Sequence, residues 1–372
     1  MRIIHVSDAY LPKQGGIEVQ VHDLASRQAG AGHDVRVLTC APTDPAVAEP
    51  DGDPAVVVHR VAIPWRNVPA SNAAMYAFLR VHRPDVVHAH LSVLSPLSIL
   101  AVRACHRAGV PVVMTLHSLW WLATPLYAIA AMLTGWGRWR VHWTAVSELA
   151  VSPLRRVVGR GGEVSLLPNG VEPLAWEIDP VPASERSDEV VLVSVMRLAS
   201  RKRPRALLRA VRTASRRVGP GVRLRLVLVG DGPLRARLER RIRRTGLQDV
   251  VELRGRMDRA GIRELYRRAD VYVAPATLES FGIAALEARC AGLPVVARRR
   301  TGIADFIESD VHGLLADSDA GLADAVVRLA TDPALRARMA AHNRGCAPET
   351  GWNDVLQRCE LAYKVAMEIT RT

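Results

Sequence analysis

Short apolar runs recur along the chain, bounded by Gly, Pro or Asp and separated by segments whose apolar positions return every third or fourth residue. Ile3–Ser7 reads as a buried strand, followed by Gly15-Gly16 and a helical pattern from Ile17 that stops at Gly30–Gly32. Val35–Thr39 and Val86–His90 are further strands, the second introduced by Arg83-Pro84-Asp85. A helix then runs to Gly109, the residue type that best accepts a helix-ending left-handed conformation, before the strand Pro111–Thr115. Trp143–Ser147 and Val164–Leu167 complete the first half. Between Pro168 and Glu189 the pattern lapses into Pro, Asp, Ser and Glu, which predicts a linker. The alternation restarts with Val190–Val195, Leu224–Gly230, Val250–Leu253, Val271–Pro275, Pro294–Ala297 and Gly313–Leu315, with Arg-rich helices between, and ends in a helix from near Trp352. Apolar strands alternating with helices predict an α/β fold of doubly wound parallel sheets. The two halves look like two versions of one architecture. The expected domains are 1–178 and 186–350, followed by a C-terminal helix over 351–372.

Length and composition agree with this division. A chain of 372 residues that is 49% apolar is long enough for two cores. The net charge of +13 changes little, because all but three of the 50 basic residues are arginines spread over helices, the lysines being Lys13, Lys202 and Lys364. No nucleic-acid-binding motif accompanies that charge, so nucleic acid is not an expected partner; an anionic membrane surface or a phosphorylated substrate fits better. The five cysteines are scattered without a C-x-x-C, which argues against a disulfide framework or zinc site and fits a reducing cytoplasm. No signal-peptide pattern is read at the N-terminus, and no apolar run reaches the roughly 20 residues a spanning helix needs.

Ligands of parallel sheets bind beyond the C-terminal strand ends, where loops lead into helix N-termini. Glu279-Ser280-Phe281-Gly282, followed by Glu287, lies at such a place. Backbone N–H groups around Phe281–Ile283 would face a ligand at the positive end of a helix dipole, and each carboxylate can accept from a pair of sugar or ribose hydroxyls. Arg197 and Lys202 follow Val190–Val195, where two cations can neutralise a diphosphate; a lysine kept in a chain that has otherwise turned to arginine points to a need for its compact ammonium. Lys13 gains weight by the same reasoning. Gly15-Gly16 allows close backbone approach to a phosphate but lacks the dinucleotide G-x-G-x-x-G spacing, and Gly230-Asp231-Gly232 reads equally as a tight turn. His117, at the end of a strand, can contact substrate or stabilise developing charge. The D-x-D pairs Asp51/Asp53 and Asp317/Asp319 read as a turn and a helix cap, so no metal site and no cofactor is expected. No G-x-S-x-G nucleophile elbow is present.

With these residues assembled, nearly the whole chain resembles family four of the retaining glycosyltransferases, which have the GT-B fold: two Rossmann-like domains facing across a cleft. The resemblance rests on Gly15-Gly16, Thr115–Ser118, Ala145–Glu148, Leu167–Val171, Arg197…Lys202, Val229–Gly232 and the E-x7-E pattern from Glu279 to Glu287. It implies a nucleotide-diphosphate-sugar donor, GDP- or UDP-linked, whose diphosphate is met by the Gly16 loop, Arg197 and Lys202. Glu279 would bind the transferred sugar and Glu287 the ribose, with backbone N–H groups from Ser280, Phe281, Gly282 and Ile283. His117 would sit near the anomeric carbon, Gly255, Arg256 and Met257 would hold the nucleobase, Gly230 would bind the donor, and the C-terminal helix 351–372 would cross back onto the first domain. Thr301-Gly302-Ile303 departs from the Gly-Gly that many members carry. The implied reaction is metal-independent front-side displacement with retention, moving a hexose to a lipid-linked, glycan or small-molecule hydroxyl. The N-terminal half resembles actinobacterial mannosyltransferases, which points to GDP-mannose.

Two other enzyme classes and a binding module are less well matched. An epimerase or hydrolase needs acid–base residues that the E-x7-E helix does not offer, and a nicotinamide dehydrogenase needs the missing fingerprint. A non-catalytic module would be expected to have lost the cations or carboxylates. Finally, Leu119–Leu133 is almost wholly apolar, with Trp120, Trp121 and Tyr127, and is followed by Trp136, Arg138, Trp139, Arg140 and Trp143. Mixed Trp and Arg is the composition of an interfacial anchor, so this stretch predicts peripheral docking on the inner face of the plasma membrane; core packing is the competing reading.

Overall fold

The computed structural model describes residues 1–12, 15–43, 55–62, 68–120, 124–159, 162–179 and 189–371. The chain divides into two compact units, one of Met1–Gly170 with Trp352–Thr372 and a second of Val171–Gly351.

The first unit is built on a parallel sheet of β1 (Arg2–Ser7), β2 (Asp34–Thr39), β3 (Val56–Arg60), β4 (Val86–Leu91), β5 (Val112–Leu116), β6 (His142–Ala145) and β7 (Val164–Leu166), in the order β3-β2-β1-β4-β5-β6-β7. Its helices are α1 (Gly16–Gly30), α2 (Val68–His82), α3 (Pro96–Ala108), α4 (Thr124–Thr134), α5 (Glu148–Val158) and, from the far end of the chain, α13 (Trp352–Arg371). Strands covered on both faces must be apolar at successive positions, which is why they read as unbroken apolar runs. Ile4, Val6, Val87 and Ala89 enter the core shared with Leu97, Ala101 and Leu154, whereas Ile3, Val35, Val86 and Val113 pack with Val355, Cys359 and Tyr363 of α13. The strand β3 is not among those the sequence pattern predicts: it lies at the sheet edge with Val57 and Val58 exposed, so it lacks the buried run of its neighbours.

The second unit repeats the plan with β8 (Glu189–Val195), β9 (Arg223–Val229), β10 (Val251–Gly255), β11 (Val271–Ala274), β12 (Val295–Arg298) and β13 (Gly313–Ala316), ordered β10-β9-β8-β11-β12-β13. Its helices are α6 (Pro173–Trp176), α7 (Pro204–Ser215), α8 (Arg235–Arg244), α9 (Arg259–Arg268), α10 (Ile283–Cys290), α11 (Asp319–Thr331) and α12 (Pro333–Gly345). The apolar faces of α7 and α11 meet over Leu192, Leu226 and Val273 of the sheet. The division between units falls after Gly170 rather than at 178, and the packing accounts for it. Val171 N donates to Thr350 O at 3.0 Å, and Trp176 of α6 lies 5.7 Å from the Tyr266 ring.

Both sheets reverse their strand order at one point, between β1 and β4 and between β8 and β11. Chains leaving adjacent strands there depart to opposite faces and open a crevice beyond the strand ends.

Candidate active site

In the second unit the loops that leave β8 and β11 flank this switch point. The first carries Arg197 and Lys202, the second Glu279. Lys202 closes a 3-10 turn over Ser200–Lys202, and its Nζ lies 2.5 Å from Glu279 Oε2. The two side chains are only 27% and 15% exposed, so the pair is partly withdrawn from water and its Coulomb attraction is less screened than on an open surface. Cross-links stiffen the strands beneath. Tyr272 donates its hydroxyl to Val195 O at 3.2 Å and Ser194 donates to Val273 O at 2.6 Å. Arg197 is exposed and forms no ion pair among the described residues.

The helix α10 starts at Gly282, whose φ of +96° is the left-handed region that glycine accepts readily; no side chain caps the helix. A Cβ at Gly282 would also meet Ile303 Cγ1 at 2.5 Å. Backbone N–H groups at 282–284 are thus set at the positive end of the helix. The Phe281 ring is buried against Phe306 at 5.5 Å, so its side chain is not offered to a ligand. Thr301-Gly302-Ile303 explains its own departure from Gly-Gly. Thr301 is extended at φ −141° and its hydroxyl donates to Arg298 O at 2.7 Å, so a side chain fits there. Gly302 is different: its N–H donates to Glu279 O at 2.9 Å, and a Cβ would run into Ser280 O. Ser280 and Glu287 each have polar partners of their own.

The Gly230-Asp231-Gly232 turn serves the Arg197 loop. Leu198 N donates to Asp231 O at 2.9 Å, and Cβ atoms at Gly230 or Gly232 would collide with the carbonyls of Met196 and Leu198. Gly230 N in turn donates to Gly255 O at 2.6 Å, which brings Gly255-Arg256-Met257 to the same edge of the sheet. Asp319 of the second D-x-D lies against three guanidiniums, Arg203 at 2.8 Å, Arg298 at 2.8 Å and Arg209 at 3.1 Å, which hold its carboxyl below the usual carboxylate range, and Asp317 pairs with Arg299. These carboxylates are engaged by cations of the chain itself. Asp51 and Asp53 lie outside the described residues, as does Lys13.

In the first unit Gly15 precedes α1 in an extended conformation without a side-chain cap, and Gly16 is the first helical residue. Glu18 folds its carboxylate back over Gly15, where the helix dipole favours it, leaving no room for a Cβ there. His117 emerges from β5 almost buried, with Nε2 at 3.0 Å from His90 Nδ1. Burial pushes its pKa down to about 4, against a side-chain hydrogen bond with Asn169 that raises it, so the ring is neutral near pH 7.

Sequence reasoning passes over His5, His88 and His90, which lie behind His117. Histidines inside apolar central strands, two of them spaced i, i+2 on one face, are the available signal. It also misses Asp8, which accepts from Leu97 N at 2.9 Å, Ser98 N at 3.0 Å and Ser98 Oγ at 2.9 Å and so occupies the N-terminus of α3. The aromatic stretch 119–143 is divided between core and surface, not laid out as an interfacial belt. Trp120, Trp136 and Trp143 are core, not interfacial, while Trp139 is half-buried. The exposed apolar face belongs instead to Leu126, Ile129, Met132 and Leu133 of α4. Trp121 lies outside the described residues.

Residues 14–173 match the family described as Glycosyltransferase Family 4, and residues 177–345 match Glycosyl transferases group 1. The chain is 30% identical to a D-inositol 3-phosphate glycosyltransferase of Kribbella flavida, over 95% of this chain and 91% of that protein. It is 26% identical to the phosphatidylinositol N-acetylglucosaminyltransferase gpi3 subunit of Schizosaccharomyces pombe, over 96% of this chain and 79% of that one. Among solved structures it resembles Anabaena Alr3699/HepE, determined in complex with UDP and glucose, with a TM-score of 0.77 at 20% identity over 98% of this chain and 99% of the other.

Proposed function

The chain belongs to glycosyltransferase family four and is a glycosyltransferase with the GT-B fold, and we propose that it moves a hexose, with retention of anomeric configuration, from a nucleotide-diphosphate sugar to the hydroxyl of an acceptor bearing inositol phosphate. The observation that carries this reading is the pair Lys202–Glu279 at the switch point, beside the uncapped start of α10. A cation and helix N–H groups suit a diphosphate, and the adjacent carboxylate suits sugar hydroxyls. Arg197 joins Lys202 in stabilising the leaving diphosphate, and Glu287 binds the ribose. The bond from the anomeric carbon to the diphosphate oxygen breaks as the acceptor oxygen bonds on the same face, and the acceptor proton passes to the departing phosphate. No metal is required, because fixed cations and dipoles meet the charge that develops.

Two donors compete. The resemblance of the N-terminal half favours GDP-mannose; the UDP and glucose bound by the Anabaena protein favour a UDP-hexose. The acceptor class is supported by the inositol phosphate and phosphatidylinositol in the relatives' names. Docking on an anionic membrane is proposed through the apolar face of α4, with Arg138 and Arg140 exposed nearby in sequence. The decisive experiment offers radiolabelled UDP-glucose, UDP-N-acetylglucosamine and GDP-mannose with either D-inositol 3-phosphate or phosphatidylinositol vesicles. Transfer to one acceptor with an α linkage is expected; hydrolysis alone, or no turnover with any pair, would sink the reading.

A further inference from the structure

The first unit contains an unbroken line of buried side-chain hydrogen bonds between its sheet and the helices α1 and α13. From His117 Nε2 it passes to His90 Nδ1 at 3.0 Å, from His90 Nε2 to His5 Nδ1 at 3.0 Å, and from His5 Nε2 to Gln28 Oε1 on α1 at 2.7 Å. Gln28 Nε2 donates to the Tyr363 hydroxyl on α13 at 2.9 Å, which lies 3.0 Å from His88 Nδ1. His88 Nε2 meets Thr115 Oγ1 at 2.7 Å, and Thr115 meets Thr144 at 2.6 Å. Every member after His117 is at most 3% exposed, so water cannot substitute for a lost partner.

Burial keeps these imidazoles neutral: His5 and His117 are pushed down to about 4, and His88 and His90 lie well below the usual histidine value. A neutral imidazole has one donor and one acceptor nitrogen, so each link dictates the next. The Gln28 carbonyl faces His5 and accepts from its Nε2–H. His5 Nδ1 then accepts from His90 Nε2–H, and His90 Nδ1 accepts from His117 Nε2–H. On the other side the Gln28 amide donates to Tyr363, the tyrosine proton goes to His88 Nδ1, and His88 Nε2–H donates to Thr115. With the Gln28 carbonyl toward His5, all four histidines are Nε2–H tautomers. Turning the Gln28 amide over would reverse every link.

We propose that Gln28 and Tyr363 are positioning residues for His117: through His5 and His90 they fix its tautomer and ring plane, so that the C-terminal helix sets which His117 nitrogen carries the proton. Helix α13 enters the first unit from residue 352 onward, and its Tyr363 hydroxyl joins Gln28 to His88, so the two branches of the line share one polarity. The functional importance of this arrangement rests on the reading of His117 as a group at the reacting sugar; the tautomer itself belongs to the first unit and is measured without substrate. A competing use of the same cluster is metal binding, since His5, His88 and His90 each place one nitrogen within 4.8 Å of the others. Both ring nitrogens of each are engaged in the line, and a metal would have to break it.

The test uses the full chain labelled with 15N-histidine and long-range 1H–15N correlation, which separates protonated from bare ring nitrogens. The His117 signals are assigned by their loss in His117→Asn. Expected are Nε2–H tautomers at His5, His88, His90 and His117 in the wild type. In Tyr363→Phe, which removes only the hydroxyl, and in Gln28→Met, which removes both polar groups at similar volume, His117 gains an Nδ1–H population. There kcat falls about tenfold while the donor KM stays within about twofold. If Tyr363→Phe fails to fold, Gln28→Met carries the same measurement. The proposal is overturned by folded variants that keep the wild-type His117 tautomer, by an Nδ1–H His117 in the wild type, or by added zinc binding stoichiometrically and shifting the three cluster histidines together. Should the wild type transfer no sugar, the functional reading fails while the tautomer measurement still decides whether the line exists.

Discussion

Lys202 and Arg203 are adjacent cations with different work, and their geometry separates them. Arg203, at φ +56°, spreads its guanidinium across both oxygens of Asp319 at 2.9 and 2.8 Å, a planar two-point contact that an ammonium cannot copy. Lys202 makes a single short contact with Glu279, which leaves the rest of its compact charge for a ligand. Lys202→Ala and Glu279→Ala should therefore fold, with thermal midpoints within a few degrees of wild type, yet lose about 10²–10³ in kcat, the usual effect of removing a charge-stabilising group. Turnover near wild type in either would remove the pair from the site. Lys202→Arg keeps the charge and changes its shape, and should fall between. At the same scale, excess EDTA should leave the rate unchanged, because Asp317 and Asp319 are already taken up by arginines. Activity lost to EDTA and restored by manganese or magnesium would count against this. Lys202 and Glu279 stand out in the sequence because their types differ from their surroundings, and the structure sets the two side chains against each other. His5, His88, His90 and Asp8 do not stand out, since a strand pattern reports only that a position is interior, not that a polar side chain there has found a partner.

At the scale of elements, legibility followed burial. The central parallel strands announce themselves as apolar runs, whereas β3, with Val57 and Val58 exposed at the sheet edge, does not. Stretch 119–143 carried two signals that composition could not separate. Its indoles at 120, 136 and 143 went to the core, and its aliphatic residues at 126, 129, 132 and 133 went to one exposed face of α4. Spacing of i, i+3, i+6 and i+7 is the helical signature of a single face, and it was hidden because the opposite face is apolar as well. If that face docks on lipid, Leu126→Gln with Met132→Gln and Leu133→Gln should co-sediment less with anionic vesicles and keep full activity on a water-soluble acceptor. Unchanged sedimentation would assign these residues to some other role. Gly302 offers a second test. Its replacement by Ala would press a methyl group into Ser280 O, displacing the loop that carries Glu279, so the donor KM should rise several-fold in Gly302→Ala. A neighbouring Thr301→Ala, which only loses its hydrogen bond to Arg298 O, should change KM much less.

For the whole molecule, the repeated strand order of two sheets was legible as two runs of strand–helix alternation, but the fate of the final helix in the first unit's core was not a matter of pattern. The sequence resemblance pointed there; packing of Tyr363 and Cys359 with Ile3, Val35 and Val113 is what α13 contributes. The two units also differ in how they hold histidine, which gives a pH prediction. In the first, His5 and His117 are buried with pKa values lowered from 6.5 to about 4, and His88 and His90 lie well below 6.5. The unfolded chain takes up protons on these rings as pH falls through 6.5, while the native chain does not until about pH 4. Native stability is therefore full above pH 6.5 and declines as pH drops toward 4, because the unfolded state binds the extra protons. For His5 and His117 the loss by pH 5 is on the order of 2 kcal/mol each. The second unit has one comparable ring among its described residues, the half-buried His312, lowered to about 4 by desolvation and by Arg289. Amide hydrogen exchange at pH 7.5 and pH 5, corrected for intrinsic rates, should thus show protection falling more in β1, β4 and β5 than in β8, β9 and β11. An equal loss in both sheets, or no loss in the first, would mean that the buried histidines already carry protons in the native state, and the neutral line from His117 to Thr144 could not stand as drawn.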